Sequence, residues 1–352
     1  MRNEQILIGD LSIGKNSPPF IIAEMSGNHK GSLDRALRIV EEVARSGAQA
    51  IKLQTYTADT MTIDIKDREF YINDQGSIWN GRSLHELYAE AHTPWEWHAE
   101  IFDYARALGL LPFSTPFDKT AVDFLEGVGV SLYKIASFEN TDLDLIRKVA
   151  STGKPVIIST GMASISEISE AVLTARDAGC TDLIILKCTS SYPASPEDAN
   201  LLTIPHMREL FDCQVGLSDH TLGIGVSLAA IAHGATVIEK HVTLSREDGG
   251  VDSPFSMEPN DLKLLVQESE TVRLSIGSVK YGFSERENLS ASHRRSLYIV
   301  QDLKQGDMIT DENLRAIRPG LGLAIKLRSD LLGKRVNKDV ARGTPVSWDL
   351  FG

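Results

Sequence analysis

One count limits what this chain can fold into more than any other feature. Eight short apolar runs recur between residues 20 and 242: FIIAEM, QAIKLQT, LLPFST, SLYKIAS, PVIIST, LIILKCT, VGLSDH and VIEKHV. Over most of their length they lack polar alternation, which suits parallel strands covered on both faces. Between them lie segments of helical period, such as LDRALRIVEEVARSG and ISEISEAVLTARDAG. Glycines 47, 109, 153, 179 and 234 stand where those helices should stop. Ser164–Glu167 and Thr93–Glu96 have the spacing of capping boxes, the second with Pro94 at the first helical position. Eight strand–helix units in succession predict an α/β fold, a (β/α)8 TIM barrel. An open doubly wound sheet would usually use fewer strands and a glycine-rich first turn, and no G-x-G-x-x-G follows the first run.

The tail reads differently. VQDLKQGDMITDENL and NKDVARGTPVSWDL echo one another: an acidic residue, a glycine shortly after, a short apolar strand, then Asp and Leu. The expected organisation is a barrel over 1–280, a linker over 281–292 and a small β-rich domain with an internal pseudo-repeat over 293–352. A chain of 352 residues with 42% hydrophobic content can bury two such cores.

The net charge of -12 argues against nucleic-acid phosphates and against an anionic membrane surface as partners. It leaves room for an anionic small molecule, because a few lysines in a cleft set the local field. Three cysteines (Cys180, Cys188 and Cys213) are odd in number and not spaced for zinc, so a reduced, cytoplasmic setting is expected. Cys188, inside an apolar run, reads as core. The start MRNEQILIGDLSIG is too polar for a signal peptide, and no apolar run nears the ~18 residues of a membrane span.

In a barrel the chemistry gathers at the C-terminal strand ends. Those ends are polar here: Glu24; Lys52, Gln54 and Thr55; Ser114 and Thr115; Lys134 and Ser137; Ser159 and Thr160; Thr189, Ser190 and Ser191; Ser218, Asp219 and His220; Glu239 and His241. Two lysines inside apolar strands, with hydroxyls around them, make an anion site. Lys52 and Gln54 share a strand face, as do Ser218 and His220. His220 and His241, at neighbouring strand ends, can hold a divalent metal while leaving its coordination open for a carbonyl. Glu24 is either a buried partner for Lys52 or a catalytic group. Glu239 reads as support or core, and the other histidines as surface or packing residues. Long loops after the second strand (residues 56–93) and after the eighth (REDGGVDSPFSMEP) should shape specificity.

Taken in order, IIAEMSGNHKGS, IKLQTYT, STPFD, YKIASFE, ISTGM, KCTSSYP, GLSDHTLG, EKHVTL and Arg318-Pro319-Gly320 make the whole chain resemble the sialic acid synthase family. Its members condense phosphoenolpyruvate with an amino-sugar aldehyde. The tail is similar to their antifreeze-like SAF domain. The resemblance implies that Glu24 is catalytic. It implies that Lys52, Thr115, Lys134, Ser137, Ser159 and Ser218 bind phosphoenolpyruvate, and that His220 and His241 hold manganese, magnesium or cobalt. Gln54, Asn80, Tyr192 and Asp252 would face the sugar, with Asn73 the alternative to Asn80. Arg318 would reach the partner's active site in a domain-swapped homodimer. IKLQTYTADTMT, WNGRSLHELYAEAHTPWEWH and VDSPFSM bring the chain nearest the branch that uses 2,4-diacetamido-2,4,6-trideoxy-L-altrose. The N-acetylneuraminic and legionaminic branches, with the same mechanism on another sugar, stay as the alternative.

Overall fold

The computed structural model describes residues 4–352. The chain forms two compact units, one ending at Gly277 and the other spanning Ser278–Gly352. The first opens with an antiparallel hairpin, β1 (Gln5–Ile8) and β2 (Leu11–Gly14). Eight parallel strands follow: β3 (Phe20–Glu24), β4 (Ala50–Thr55), β5 (Leu111–Pro116), β6 (Tyr133–Ile135), β7 (Val156–Ser159), β8 (Leu183–Cys188), β9 (Gln214–Ser218) and β10 (Val237–His241). They close into a barrel in chain order, with β10 pairing β3. The eight apolar runs are these eight strands.

Alternation sorts every strand into two faces. Ile21, Ala23, Ile51, Leu53, Ile158, Ile185, Val215 and Ile238 face the helices and join the main core. Phe20, Ile22, Ala50, Phe113, Leu132, Ile157, Ile184, Leu186 and Val237 form a separate cluster with Ile6, Ile8 and Ile13 of the hairpin. The hairpin therefore plugs the N-terminal end of the barrel. Its tight turn has Gly9 at φ 59°, a conformation that suits glycine. The polar inward positions are pushed to the other end.

Helix boundaries follow the local chemistry in most places. Ser164 and Glu167 make a reciprocal capping box before the helix Ile165–Asp177. Thr93 does not cap: Trp95–Trp97 is a 3-10 turn without a side-chain cap, and the Thr93 hydroxyl lies 3.3 Å from Nε2 of buried His29. Among the described residues no helix is long and apolar enough to cross a membrane.

The second unit has its own core of Leu297, Ile299, Leu303, Ile309, Leu314, Leu331, Val336, Val340, Val346 and Leu350. Its strands β11 (Ser296–Ile299) and β12 (Leu314–Ile317) pair antiparallel. The stretch read as a linker holds two helical turns, Glu285–Glu287 and Asn288–Ala291. The pseudo-repeat is a structural pair. Leu303 and Val340, equivalent in the two fragments, exchange backbone hydrogen bonds of 2.8 and 2.9 Å. The Gln305 amide donates to Asp339 Oδ1, and the equivalent Arg342 amide donates to Asp302 Oδ1.

Candidate active site

The same alternation that fills the lower barrel with isoleucine puts charges in its upper layer. Glu24 follows Phe20 and Ile22 on the inner face of β3, and Lys52 follows Ala50 on β4. Thr115, Lys134, Ser159, Ser218 and Glu239 continue the ring on β5, β6, β7, β9 and β10. All seven are buried. Lys52 Nζ lies 2.7 Å from Glu24 Oε2 and 3.1 Å from Glu239 Oε1, and it donates to Thr115 Oγ1 at 3.3 Å. Lys134 Nζ is 3.7 Å from Glu239 Oε1, and the Ser218 hydroxyl donates to the same oxygen at 3.3 Å.

Two carboxyls and two ammoniums thus share one dry cluster, and their neighbours push them apart. Burial raises Glu239, but Lys134 and Lys52 outweigh it and hold that carboxyl at about 2. Burial also raises Glu24; Lys52 opposes it, Glu239 adds to it, and the result is about 7. Glu239 is therefore the fixed anion and Glu24 the carboxyl able to gain or lose a proton near neutrality. Burial disfavours the Lys52 ammonium, yet Glu239 and Glu24 leave its pKa above the usual value. For Lys134 burial wins and its pKa is lowered.

Beside this cluster the β6 and β7 ends form a tight hydroxyl cradle. Ser137 Oγ accepts from the Gly161 amide at 3.1 Å. A Cβ on Gly161 would collide with the hydroxyls of Ser137 and Ser190, so only glycine brings the backbone this close. The Ser159 hydroxyl is buried without a hydrogen-bond partner.

At the mouth, the rings of His220 and His241 lie 5.4 Å apart. His220 Nδ1 lies 3.0 Å from Thr189 O, which fixes a proton on Nδ1 and leaves the Nε2 lone pair free. Burial lowers His220, but Cys188 and Thr189 O outweigh it, so the net shift is upward. His241 is driven well below the ordinary imidazole value by burial, with His220, Lys52, Lys240 and Lys134 adding to the effect. It is a neutral ring whose buried Nδ1 has no hydrogen-bond partner and sits 3.7 Å from Asp252 Oδ2. Among the described residues no group of three or more His, Cys, Asp or Glu gathers as a metal cage. An orphaned ring nitrogen beside a second imidazole still fits a divalent ion held by few protein donors.

The Tyr192 ring lies, tilted, 4.5 Å from that of His220 and 5.3 Å from that of Phe255, which in turn lies 4.9 Å from His241. Asp252 accepts from the Ser26 hydroxyl. Gln54 is half-buried on the inner face of β4, in register with Thr115. Asn80 and Asn73 are both exposed on the loop after β4. Arg318 lies exposed in the second unit, directly after β12.

Four contributors were not legible at the start. Cys188 is buried but is not simple core: it shares the inner face with Ile184 and Leu186, and its sulfur lies 3.9 Å from His220 Nδ1. Strict alternation along β8 would have found it. Ser26, Trp79 and Glu139 sit in turns, where no period reports direction. Conversely, Ser114 and Thr55 face outward and bond one another at 2.6 Å, with Thr55 also bonded to His98.

A NeuB family profile matches residues 39–281, and a SAF domain profile matches residues 294–352. Pseudaminic acid synthases of Campylobacter jejuni and Helicobacter pylori are each 41% identical, over 94% of this chain and 96% and 97% of theirs. Among solved structures, the N-acetylneuraminic acid synthetase of Leptospira borgpetersenii superposes with a TM-score of 0.73 at 34% identity. That match covers 81% of this chain and 94% of the other.

Proposed function

The chain belongs to the NeuB family, and from that premise we propose that it condenses phosphoenolpyruvate with 2,4-diacetamido-2,4,6-trideoxy-L-altrose and water, giving pseudaminic acid and phosphate. The observation that carries the reading is the buried quartet of Glu24, Lys52, Lys134 and Glu239, set directly below two imidazoles. A dry cluster with two ammoniums and surrounding hydroxyls suits a small polyanion far better than it suits a neutral ligand.

In this reading Lys52, Lys134, Thr115, Ser137, Ser159 and Ser218 hold the phosphate and carboxylate of phosphoenolpyruvate. The arriving anion competes with Glu24 for the ammonium of Lys52, which raises the proton affinity of a carboxyl already near neutrality. His220 and His241 would hold a divalent cation (manganese, magnesium or cobalt), which supplies Lewis-acid polarisation of the sugar aldehyde. Carbon 3 of phosphoenolpyruvate bonds to the aldehyde carbon, and the aldehyde oxygen takes up a proton. Water bonds to carbon 2 and its proton passes to Glu24. The bond from carbon 2 to the phosphate oxygen then breaks; the electron pair leaves on phosphate, which also takes the proton of the carbon 2 hydroxyl as the keto group forms. Gln54, Tyr192, Asp252 and Asn80 face the sugar, and Arg318 is supplied by the other subunit of a homodimer.

The test is phosphate release from phosphoenolpyruvate with manganese, comparing the altrose with N-acetylmannosamine and the legionaminic precursor. Release with the altrose alone supports the proposal. Release only with another sugar moves the substrate, and silence with all three from folded, metal-loaded protein overturns it. His220→Ala and His241→Ala should each weaken manganese binding and lower turnover by about 100-fold or more while the melting transition persists. Full activity in both would remove the metal assignment.

A further inference from the structure

The loop after β4 does more than hang over the mouth. Trp79 Nε1 donates to Val251 O at 2.7 Å, so the loop is latched to the one after β10. Val251 packs against Gly27 so closely that no Cβ would fit there. The next residue, Asp252, is held by Ser26. Three loops are thereby joined at one indole. Its ring lies 5.6 Å from that of Tyr192, which itself packs at a tilt against His220.

We propose that Trp79 is a specificity-determining residue: its indole forms the apolar far wall of the sugar site and selects a methyl over a hydroxymethyl group at the terminal carbon. The proposal rests on the function proposed above. With the aldehyde carbon at the two histidines, an open six-carbon chain extends on the order of 6 Å beyond it. Laid along Tyr192, that chain runs toward the next ring in contact, the indole. The only polar atom of the indole is Nε1, and Val251 O already accepts its proton. The face left for the ligand is carbon alone. A terminal hydroxyl placed there would give up water without gaining a partner, whereas a methyl group loses nothing.

The experiment compares kcat/KM for 2,4-diacetamido-2,4,6-trideoxy-L-altrose and for its 6-hydroxy counterpart in wild type, Trp79→Phe and Trp79→Gln. The ratio is taken within one preparation, so partial loss of folded enzyme cancels. Wild type should prefer the deoxy sugar by about 10- to 100-fold. Trp79→Phe keeps an apolar wall and should keep the preference. Trp79→Gln supplies a hydrogen-bonding group and should move the ratio toward the hydroxy sugar by about tenfold or more, with the KM for phosphoenolpyruvate within about twofold of wild type. Equal ratios in the two variants, or a KM for phosphoenolpyruvate that rises with that of the sugar, would show a latch and no wall. Wild-type release without preference overturns the Trp79 assignment and spares the function. No release from any sugar removes both.

Discussion

Glu139 is a carboxyl that the folded chain serves poorly. Its Oε2 is buried without a hydrogen-bond partner, and burial pushes the carboxyl to about 7, with Lys134 pulling down and Asp142 pushing up. Tyr88 faces it as well. A carboxyl that titrates higher in the folded than in the unfolded chain keeps its proton longer when folded. Stability therefore falls as pH rises from about 4.5 to about 7. Glu139→Gln should raise the melting temperature at pH 8, by a gain on the order of 1–3 kcal/mol, and leave it unchanged at pH 4. Melting curves across that range decide the matter; a constant difference at every pH would contradict it. The residue sits in the quoted motif YKIASFE, yet no role could be read for it. The turn Ser137–Glu139 breaks the two-residue period that oriented Lys134. The strand-borne charges were legible for the opposite reason, since alternation alone aims Glu24, Lys52 and Glu239 inward.

At the level of elements, the residue after β9 and the outer face of β10 carry a second set of buried charges. Asp219 Oδ2 accepts from Lys240 Nζ at 3.0 Å and from the Ser227 hydroxyl at 2.6 Å, and Lys240 also donates to Thr221 O at 2.6 Å. Each residue precedes one of the mouth histidines, so this pair fastens together the two strands that present them. Lys240→Met would strand the Asp219 carboxylate in the interior and should cost about 3–5 kcal/mol in urea unfolding. Asp219→Leu combined with Lys240→Met should recover most of that loss, because no unpaired charge remains. A double variant as unstable as the single one would show that packing, not charge, was the loss. The eight strands were readable because each run is long enough to show its pattern. The hairpin β1–β2 was not: its strands have four residues each, and only β1 alternates exposed and buried positions, too short a signal to show a period.

At the scale of the whole molecule, the two units and the repeat inside the second were visible in the text, because equivalent residues there pair with one another. What no single chain displays is a site completed by a second copy. If Arg318 acts in the partner's barrel, Arg318→Ala and Glu24→Gln should each be nearly inactive alone. After subunit exchange, the mixture should regain roughly a quarter of wild-type activity, since half of randomly formed dimers are hybrids with one intact site. No recovery after exchange verified by mass would place Arg318 in its own subunit's chemistry or in none. The plug of Ile6, Ile8 and Ile13 has a kinetic consequence of its own. A barrel whose lower interior is packed solid and capped by the hairpin has a single door, so whatever occupies the deep charged layer must enter before anything settles at the mouth. On the proposed assignment the enolpyruvate queues first and the sugar second, and the sugar acid must step out before phosphate can follow.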